Sequence, residues 1–223
     1  MNTPYKIQYL GHSAFIVETE KYYLFFDCQD ENAADIDFKQ FSGKRAGLFF
    51  SHDHHDHYSG KLHKQSAEYP NVFTALGGFD MPLTPETHNI PPRESRNIGG
   101  LTVYTAASAD KGVCFIVQAD GVNIYFAGDN ADWGDGDPNN RIFKGEIDYL
   151  AGLNINIGPA FIPVCTYSGH RPKEMTDSAF YTIDKLKPAE ICPMHANGRE
   201  YLYDEFEKDL RASGRQTPVA RYK

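Results

Sequence analysis

Residues Ser51 to His57 read SHDHHDH, gathering four of the chain's nine histidines and two aspartates into seven positions. Imidazole nitrogens and carboxylate oxygens are the donors that Zn²⁺ and similar borderline ions accept. An ion with one open position lowers the pKa of a bound water to about 7, which makes a hydroxide nucleophile available at neutral pH. The spacing His-x-His-x-Asp-His divides the work. His52 and His54 stand two apart at the end of the apolar run AGLFFS, so they project to one side and can grip one ion. Asp56 and His57 lie where the chain turns toward a helix, facing a second position close by. His55 is a solvent-facing spacer. A solvated, unspecific metal-sequestering tract is the plainer alternative, and the strand before the run and the helix after it argue against that.

These residues need a frame. The runs YKIQYL, AFIVET, YYLFFD, AGLFFS, LTVYTA, GVCFIVQA and VNIYFAG are rich in β-branched and aromatic residues and read as strands. The Glu20-Lys21 bend and the link Gln118 to Gly121 suit hairpins. Apolar spacings of three and four predict helices over 173 to 187 (Met175, Ala179, Ile183, Leu186) and over 199 to 211 (Leu202, Phe206, Leu210). Weaker patterns predict helices from Ser59 to Tyr69 and from Asn140 to Leu153, and NIPPRESRNIGG (Asn89 to Gly100) reads as a surface loop. Strands come first and helices interleave later, as in sheets covered by helices. IYFAGD and ICPMH deliver Asp129 and His195 at the ends of apolar strands. Taken singly, Asp129 is as readily an Asx-turn former and His195 a capping or core histidine; beside SHDHHDH, both readings lose weight.

At 223 residues the chain can bury a sizeable core, and one domain over 1 to 223 is the default. Its 22 basic and 30 acidic residues give a net charge of -8, which works against phosphate backbones and anionic membranes, so neither is an expected partner. The opening MNTPYKIQYLGHSAFIVETE does not read as a signal peptide, which predicts a cytoplasmic location. No apolar run approaches the ~20 residues that cross a bilayer. Cys28, Cys114, Cys165 and Cys192 are far apart without a C-x-x-C pair and read as buried thiols.

SHDHHDHYSG resembles the metal-binding motif of the metallo-β-lactamase superfamily. YLGHSAFIVET, the FFD ending at Asp27, IYFAGD and ICPMH resemble, in order, the landmarks of its lactonase-like branch. The resemblance implies a four-layer α/β (α+β) fold: an αβ/βα sandwich of two mixed β-sheets, helices on the outer faces, with a dinuclear site at one edge. It implies His52 and His54 as ligands of a first metal, Asp56, His57 and His195 as ligands of a second, and Asp129 as the bridge. Asp27 is implied as support for the histidine loop, and His12 as a residue of the pocket rim, though a structural turn histidine is at least as ready a reading. The implied cofactor is one or two divalent ions, zinc first, with manganese or iron as alternatives. One departure stands out: where the superfamily usually supplies another histidine to the first metal, this chain has YTAASADKGVCF. Ser108, Asp110 and Lys111 are its polar candidates, Asp110 being able to reach an ion through oxygen; His88 and His170 are candidates from elsewhere. The expected consequence is a weakened first position, or a hard-ligand substitution that favours Mn²⁺ or Fe²⁺ over Zn²⁺.

The function so implied is metal-dependent hydrolysis of a small ester, lactone or phosphoester carrying an anionic group. Asp56 and His170 are its expected catalytic residues, His170 stabilising the developing oxyanion. Trp133, the only tryptophan, is expected to wall the pocket, and Arg171, before a helix, to hold the anion; solvated surface charge is an equally ready reading of Arg171. A catalytically weakened metal-binding protein is the alternative. A di-iron redox enzyme is disfavoured by His54, where that motif normally carries glutamate. Oligomeric state is left open.

Overall fold

The apolar runs fold as strands buried on both faces. In β3 (Tyr22–Phe26), Leu24 and Phe26 face one apolar layer while Phe25, pointing the other way, joins a second. The computed structural model describes residues 4–81 and 84–222. Its first sheet runs β1 (Lys6–Gly11), β2 (Ala14–Glu18), β3, β4 (Arg45–Phe50), β5 (Val72–Leu76), β6 (Thr87–Asn89). Pairing is antiparallel from β1 to β3 and parallel from β3 to β6. The second sheet contains β7 (Ser95–Ile98), β8 (Leu101–Ala107), β9 (Val113–Ala119), β10 (Val122–Phe126), β11 (Pro159–Pro163) and β12 (Glu190–Met194), again neighbours in chain order. It is antiparallel from β7 to β10 and parallel from β10 to β12. Two mixed sheets with helices against them are what the resemblance implied.

Aromatic side chains join the sheets: Phe26 stacks on Phe126 at 4.8 Å, Phe15 meets Phe161 at 4.6 Å and Phe49 meets Phe115 edge-on at 5.6 Å. Each such ring, fully buried, contributes about 1.5–3 kcal/mol. Of the helices, α1 (Gly60–Ser66) packs against β5, while α2 (Phe143–Gly152), α3 (Lys173–Leu186) and α4 (Tyr201–Ala212) bury apolar stripes in the layer shared with the second sheet. Helix α1 starts where Ser59 Oγ accepts the Leu62 N–H at 2.9 Å, and is shorter than the pattern Ser59 to Tyr69 suggested. The expected loop Asn89 to Gly100 also contains structure: β7 lies within it and pairs with β8 through the turn at Gly99 and Gly100. All four cysteines are free and buried. Among the described residues no helix is long and apolar enough to cross a membrane.

The site follows from the strand directions. Parallel strands β3 and β4 in one sheet, and β10 and β12 in the other, deliver Asp27, His52, Asp129 and His195 at their carboxyl ends.

Candidate metal centre

Asp27 is the hub beneath the histidine loop. It is fully buried and takes a left-handed backbone (φ 42°), which aspartate tolerates better than most residues. Its Oδ1 accepts the Ser51 backbone N–H at 2.7 Å, and its Oδ2 accepts both the Ser51 hydroxyl and His57 Nδ1–H at 2.6 Å. With its proton committed to Asp27, Ser51 Oγ accepts from His52 Nδ1–H at 2.9 Å. His195 Nδ1–H donates to the Cys165 carbonyl at 3.0 Å. Three rings therefore have Nδ1 tied and Nε2 free, the tautomer that second-shell acceptors impose on metal-binding histidines.

The free atoms converge. His57 Nε2 lies 3.2 Å and His195 Nε2 3.5 Å from Asp129 Oδ1, while His52 Nε2 lies 3.8 Å from Asp129 Oδ2. The 3.2 Å approach is not aligned as a hydrogen bond: His57 Nε2, Asp129 Oδ1 and His52 Nε2 are all buried without a partner. A buried polar atom left unsatisfied costs about 1–3 kcal/mol, so the cluster is destabilised as it stands. Donors about 2.1 Å from a shared tetrahedral ion sit about 3.4 Å apart, close to these separations. The residues present fit a divalent cation. Two groups form around these free atoms: His52, His54, Asp110 and Asp129 in one, His12, Asp56, His57 and His195 in the other, the donor atoms of each lying within 4.8 Å of one another; a third, Asp27, His52 and His57, is the one tied together by the hydrogen bonds to Asp27 and Ser51.

The charges agree with this arrangement. Burial, then His57, pushes His52 down to about 3, leaving a neutral imidazole at pH 7. Burial alone would raise the Asp129 carboxyl, but His57 and His195 outweigh it and hold the group well below the usual range. Burial likewise opposes the charge on His57, and Asp129 and Asp27 overcome it, so His57 is raised well above an ordinary imidazole. A bound cation would take over the positive charge that this proton supplies.

Two further residues enter the site. Asp110 Oδ2 stands 3.5 Å from His54 Nδ1 and 3.9 Å from His52 Nε2, so the first group has a carboxylate in its histidine-free loop and is no poorer in donors than the second. His12, in a left-handed turn (φ 53°) between β1 and β2, faces Asp56 Oδ2 with its Nε2 at 3.2 Å and lies 4.2 Å from the His195 ring. It thus joins the second group instead of only lining the rim. His195 is also left-handed (φ 78°), and such strained non-glycine backbone commonly persists where function requires it. His55 is 89% exposed.

Other expected site residues lie elsewhere. His170 is exposed and does not line the cleft; it sits in a turn in which the Thr166 N–H donates to its carbonyl at 2.8 Å. Arg171 is drawn to Asp209 on α4 at 2.8 Å and covers the Phe206 ring, so it does not line the cleft either. His88 belongs to β6, outside both groups. Trp133 does line the cleft: its ring is 5.2 Å from His195 and its Nε1–H donates to the Asp129 carbonyl at 3.2 Å. Sequence reasoning missed Tyr167, which also lines the cleft, half exposed and 5.6 Å edge-on from His12. An aromatic residue in the polar loop TYSGH was its only signal. The cleft that Trp133 and Tyr167 line holds about 630 Å³.

Close backbone packing keeps the two ligand loops in place. Val113 N–H donates to the Ser51 carbonyl at 3.0 Å, and a Cβ on Gly112 (φ 67°) would fall 2.1 Å from that oxygen and 2.8 Å from His52 Cβ. Gly112→Ala is therefore expected to lose at least about 2 kcal/mol of stability, from strain and overlap together. Chemical denaturation checks this; a parent-like midpoint would contradict the contact.

Comparison with known proteins places the chain in a family. Residues 6–195 match the model of the beta-lactamase superfamily domain. A UPF0173 metal-dependent hydrolase of Pyrobaculum arsenaticum is 26% identical over 208 residues, covering 86% of this chain and 84% of its own. One from Methanocorpusculum labreanum is 25% identical over 230 residues, covering 93% and 88%. Among solved structures, Igni18, a metallo hydrolase from the archaeon Ignicoccus hospitalis, superposes with a TM-score of 0.70 at 18% identity, covering 99% of this chain and 95% of that one. That last likeness is one of fold.

Proposed function

The chain belongs to the beta-lactamase superfamily, and from that premise we propose that it is a metal-dependent hydrolase of small, uncharged esters or lactones. The buried, partnerless His52 Nε2, His57 Nε2 and Asp129 Oδ1 beneath an open cleft carry this reading. His52, His54 and Asp110 would hold one ion, Asp56, His57 and His195 another with His12 beside them, and Asp129 would reach both. Such an ion supplies Lewis-acid polarisation of a carbonyl and lowers the pKa of water to about 7. The relatives named metal-dependent hydrolases support the same reaction class.

The chain's own residues narrow the substrate. Trp133 and Tyr167 line the cleft and offer apolar surface to a substrate body. Asp56, Asp110, Asp129 and Asp135 line it, and no lysine or arginine does among the described residues. Nearby cations are committed elsewhere: Lys111 to Asp53 at 2.5 Å, Arg171 to Asp209, Arg199 to the Tyr167 carbonyl at 3.3 Å. Among the described residues no lysine or arginine of the lining is offered to an anionic group, so the uncharged ester or lactone is proposed in place of the anionic substrate expected from Arg171. For Asp56, burial opposes ionisation, yet His12 and then His57 overcome it and hold the carboxylate charged. That makes it a better ligand than a proton acceptor.

Metal analysis of protein purified without added metal, followed by an esterase, lactonase and phosphodiesterase screen, tests this. Bound metal and chelator-sensitive turnover of neutral esters or lactones are expected. Metal content near zero after reconstitution would sink the hydrolase reading, and metal without turnover would favour a non-catalytic metal-binding protein. Tyr167→Ala is expected to raise KM by about tenfold, roughly 1.4 kcal/mol, with metal content unchanged; an unchanged KM would remove Tyr167 from the substrate wall.

A further inference from the structure

We infer that Tyr203 is a positioning residue for His195: its hydroxyl holds the peptide bond that follows this histidine, and with it the left-handed turn that aims Nε2 at Asp129. This rests on the metal-dependent reading above. His195 follows β12 with φ 78°, a conformation that persists in a non-glycine residue only where its surroundings over-determine it. Here they do so at every polar group except Nε2. The His195 N–H donates to the His12 carbonyl at 3.0 Å, its carbonyl accepts the Cys165 thiol at 3.3 Å, and its Nδ1–H is held by the Cys165 carbonyl. The next N–H, that of buried Ala196, donates to Tyr203 Oη at 3.2 Å. Nε2 alone is left over, 3.5 Å from Asp129 Oδ1.

Donation runs in a single direction through this contact. Tyr9 Oη lies 2.9 Å from Glu200 Oε1 and 3.2 Å from Tyr203 Oη. A carboxylate only accepts, so the Tyr9 proton goes to Glu200 and the Tyr203 proton to Tyr9, which leaves the Tyr203 oxygen to accept from Ala196. Tyr203 stands in the first turn of α4, and Tyr9 on β1, three residues before His12. The series of hydroxyls therefore fastens both strands that lead into the second group, β1 toward His12 and β12 toward His195, to one helix. Tyr203 is 7% exposed, and its ring meets Tyr9 and Tyr222 edge-on at 6.3 and 5.9 Å. A phenylalanine at 203 keeps those ring contacts and removes only the acceptor, leaving the Ala196 N–H buried and unpaired.

The test is titration of Zn²⁺, against a chromophoric chelator, into folded apoprotein of the parent, Tyr203→Phe and Tyr9→Phe at low temperature. Tyr203→Phe is expected to weaken one bound zinc by about tenfold, the lower end of what outer-shell losses cost. Tyr9→Phe breaks the same series one hydroxyl further out, leaves Tyr203 to accept from Ala196, and should bind zinc as the parent does. A purely structural role for Tyr203 would lower the denaturation midpoint and leave the affinity of folded protein unchanged. If Tyr203→Phe does not fold, amide exchange on the parent decides: coupling between the Ala196 hydrogen bond and the ion is reciprocal, so zinc should slow exchange of the Ala196 amide at least tenfold, and an unchanged rate would overturn the inference. Zinc affinity unchanged in Tyr203→Phe, or lowered equally in Tyr9→Phe, would overturn it too and leave the hydrolase reading standing. No zinc on the parent would overturn both.

Discussion

Asp129→Ala is expected to empty both metal positions and abolish hydrolysis, while His55→Ala leaves metal content and activity near the parent's. Asp129 is the carboxylate with one oxygen toward each group: Oδ1 toward His57 and His195, Oδ2 toward His52. Removing it takes one negative ligand from each position and leaves His52 and His195 converging on empty space. Activity should fall at least about a thousandfold, roughly 4 kcal/mol of transition-state stabilisation. His57 keeps its Asp27 partner, so the fold should survive, and far-UV circular dichroism can confirm this before metal is counted. His55 is the control because its ring is almost wholly in solvent although it stands between the proposed ligands His54 and Asp56. Two metals retained by Asp129→Ala would refute the bridging role. Equal losses at His55 would mean that the ligand register is misassigned.

How far the sequence could be read differs with the range of the contacts involved. SHDHHDH announced itself because its donors are neighbours in the chain, and Asp129 and His195 because each ends an apolar strand. Asp110 was legible only as one of three polar candidates. Its place depends on Gly112 letting one loop settle on the Ser51 carbonyl some sixty residues away, which no local pattern encodes. His12 is similar: only the fold brings the β1–β2 turn to Asp56. Arg171 shows the opposite failure. A basic residue before a helix suggested an anion site, but Asp209, far along the chain on α4, takes the guanidinium. The strands follow the same logic. Runs rich in β-branched and aromatic residues stood out, whereas VFTAL and PAFIP, also buried on both faces, are interrupted within five residues by Thr74 and Ala75 or bounded by Pro159 and Pro163, and did not. SRNI has exposed polar residues and joins its sheet at an edge through main-chain bonds, so hydrophobic alternation could not reveal β7. That the strands form two mixed sheets with helices outside was implied by the resemblance, not by periodicity.

The other large effect is expected at a residue outside both ligand groups. Asp27→Asn should weaken metal binding by about 10–100-fold, the usual cost of losing a second-shell acceptor, and should lower stability by about 3–5 kcal/mol, as when one partner of a buried charged pair is removed. The reason is a count of donors. Three hydrogens point at this carboxylate, from Ser51 N, Ser51 Oγ and His57 Nδ1, and it receives all of them without donating any. An asparagine has one acceptor oxygen and two N–H donors, so in either orientation it turns a donor toward a donor. If its NH₂ faces Ser51 Oγ and His57, the serine hydroxyl must rotate to accept and can no longer fix the His52 tautomer; the loss then reaches His52 through Ser51. If its NH₂ faces the Ser51 backbone, the entry to the histidine loop shifts instead. Titrating Mn²⁺ and Zn²⁺ into the folded variant at low temperature separates the two consequences, since a purely structural role would lower the denaturation midpoint and leave the affinity of folded protein unchanged. Unaltered affinity would therefore reduce Asp27 to a structural residue. An unaltered midpoint would show that its three hydrogen bonds do not hold the loop.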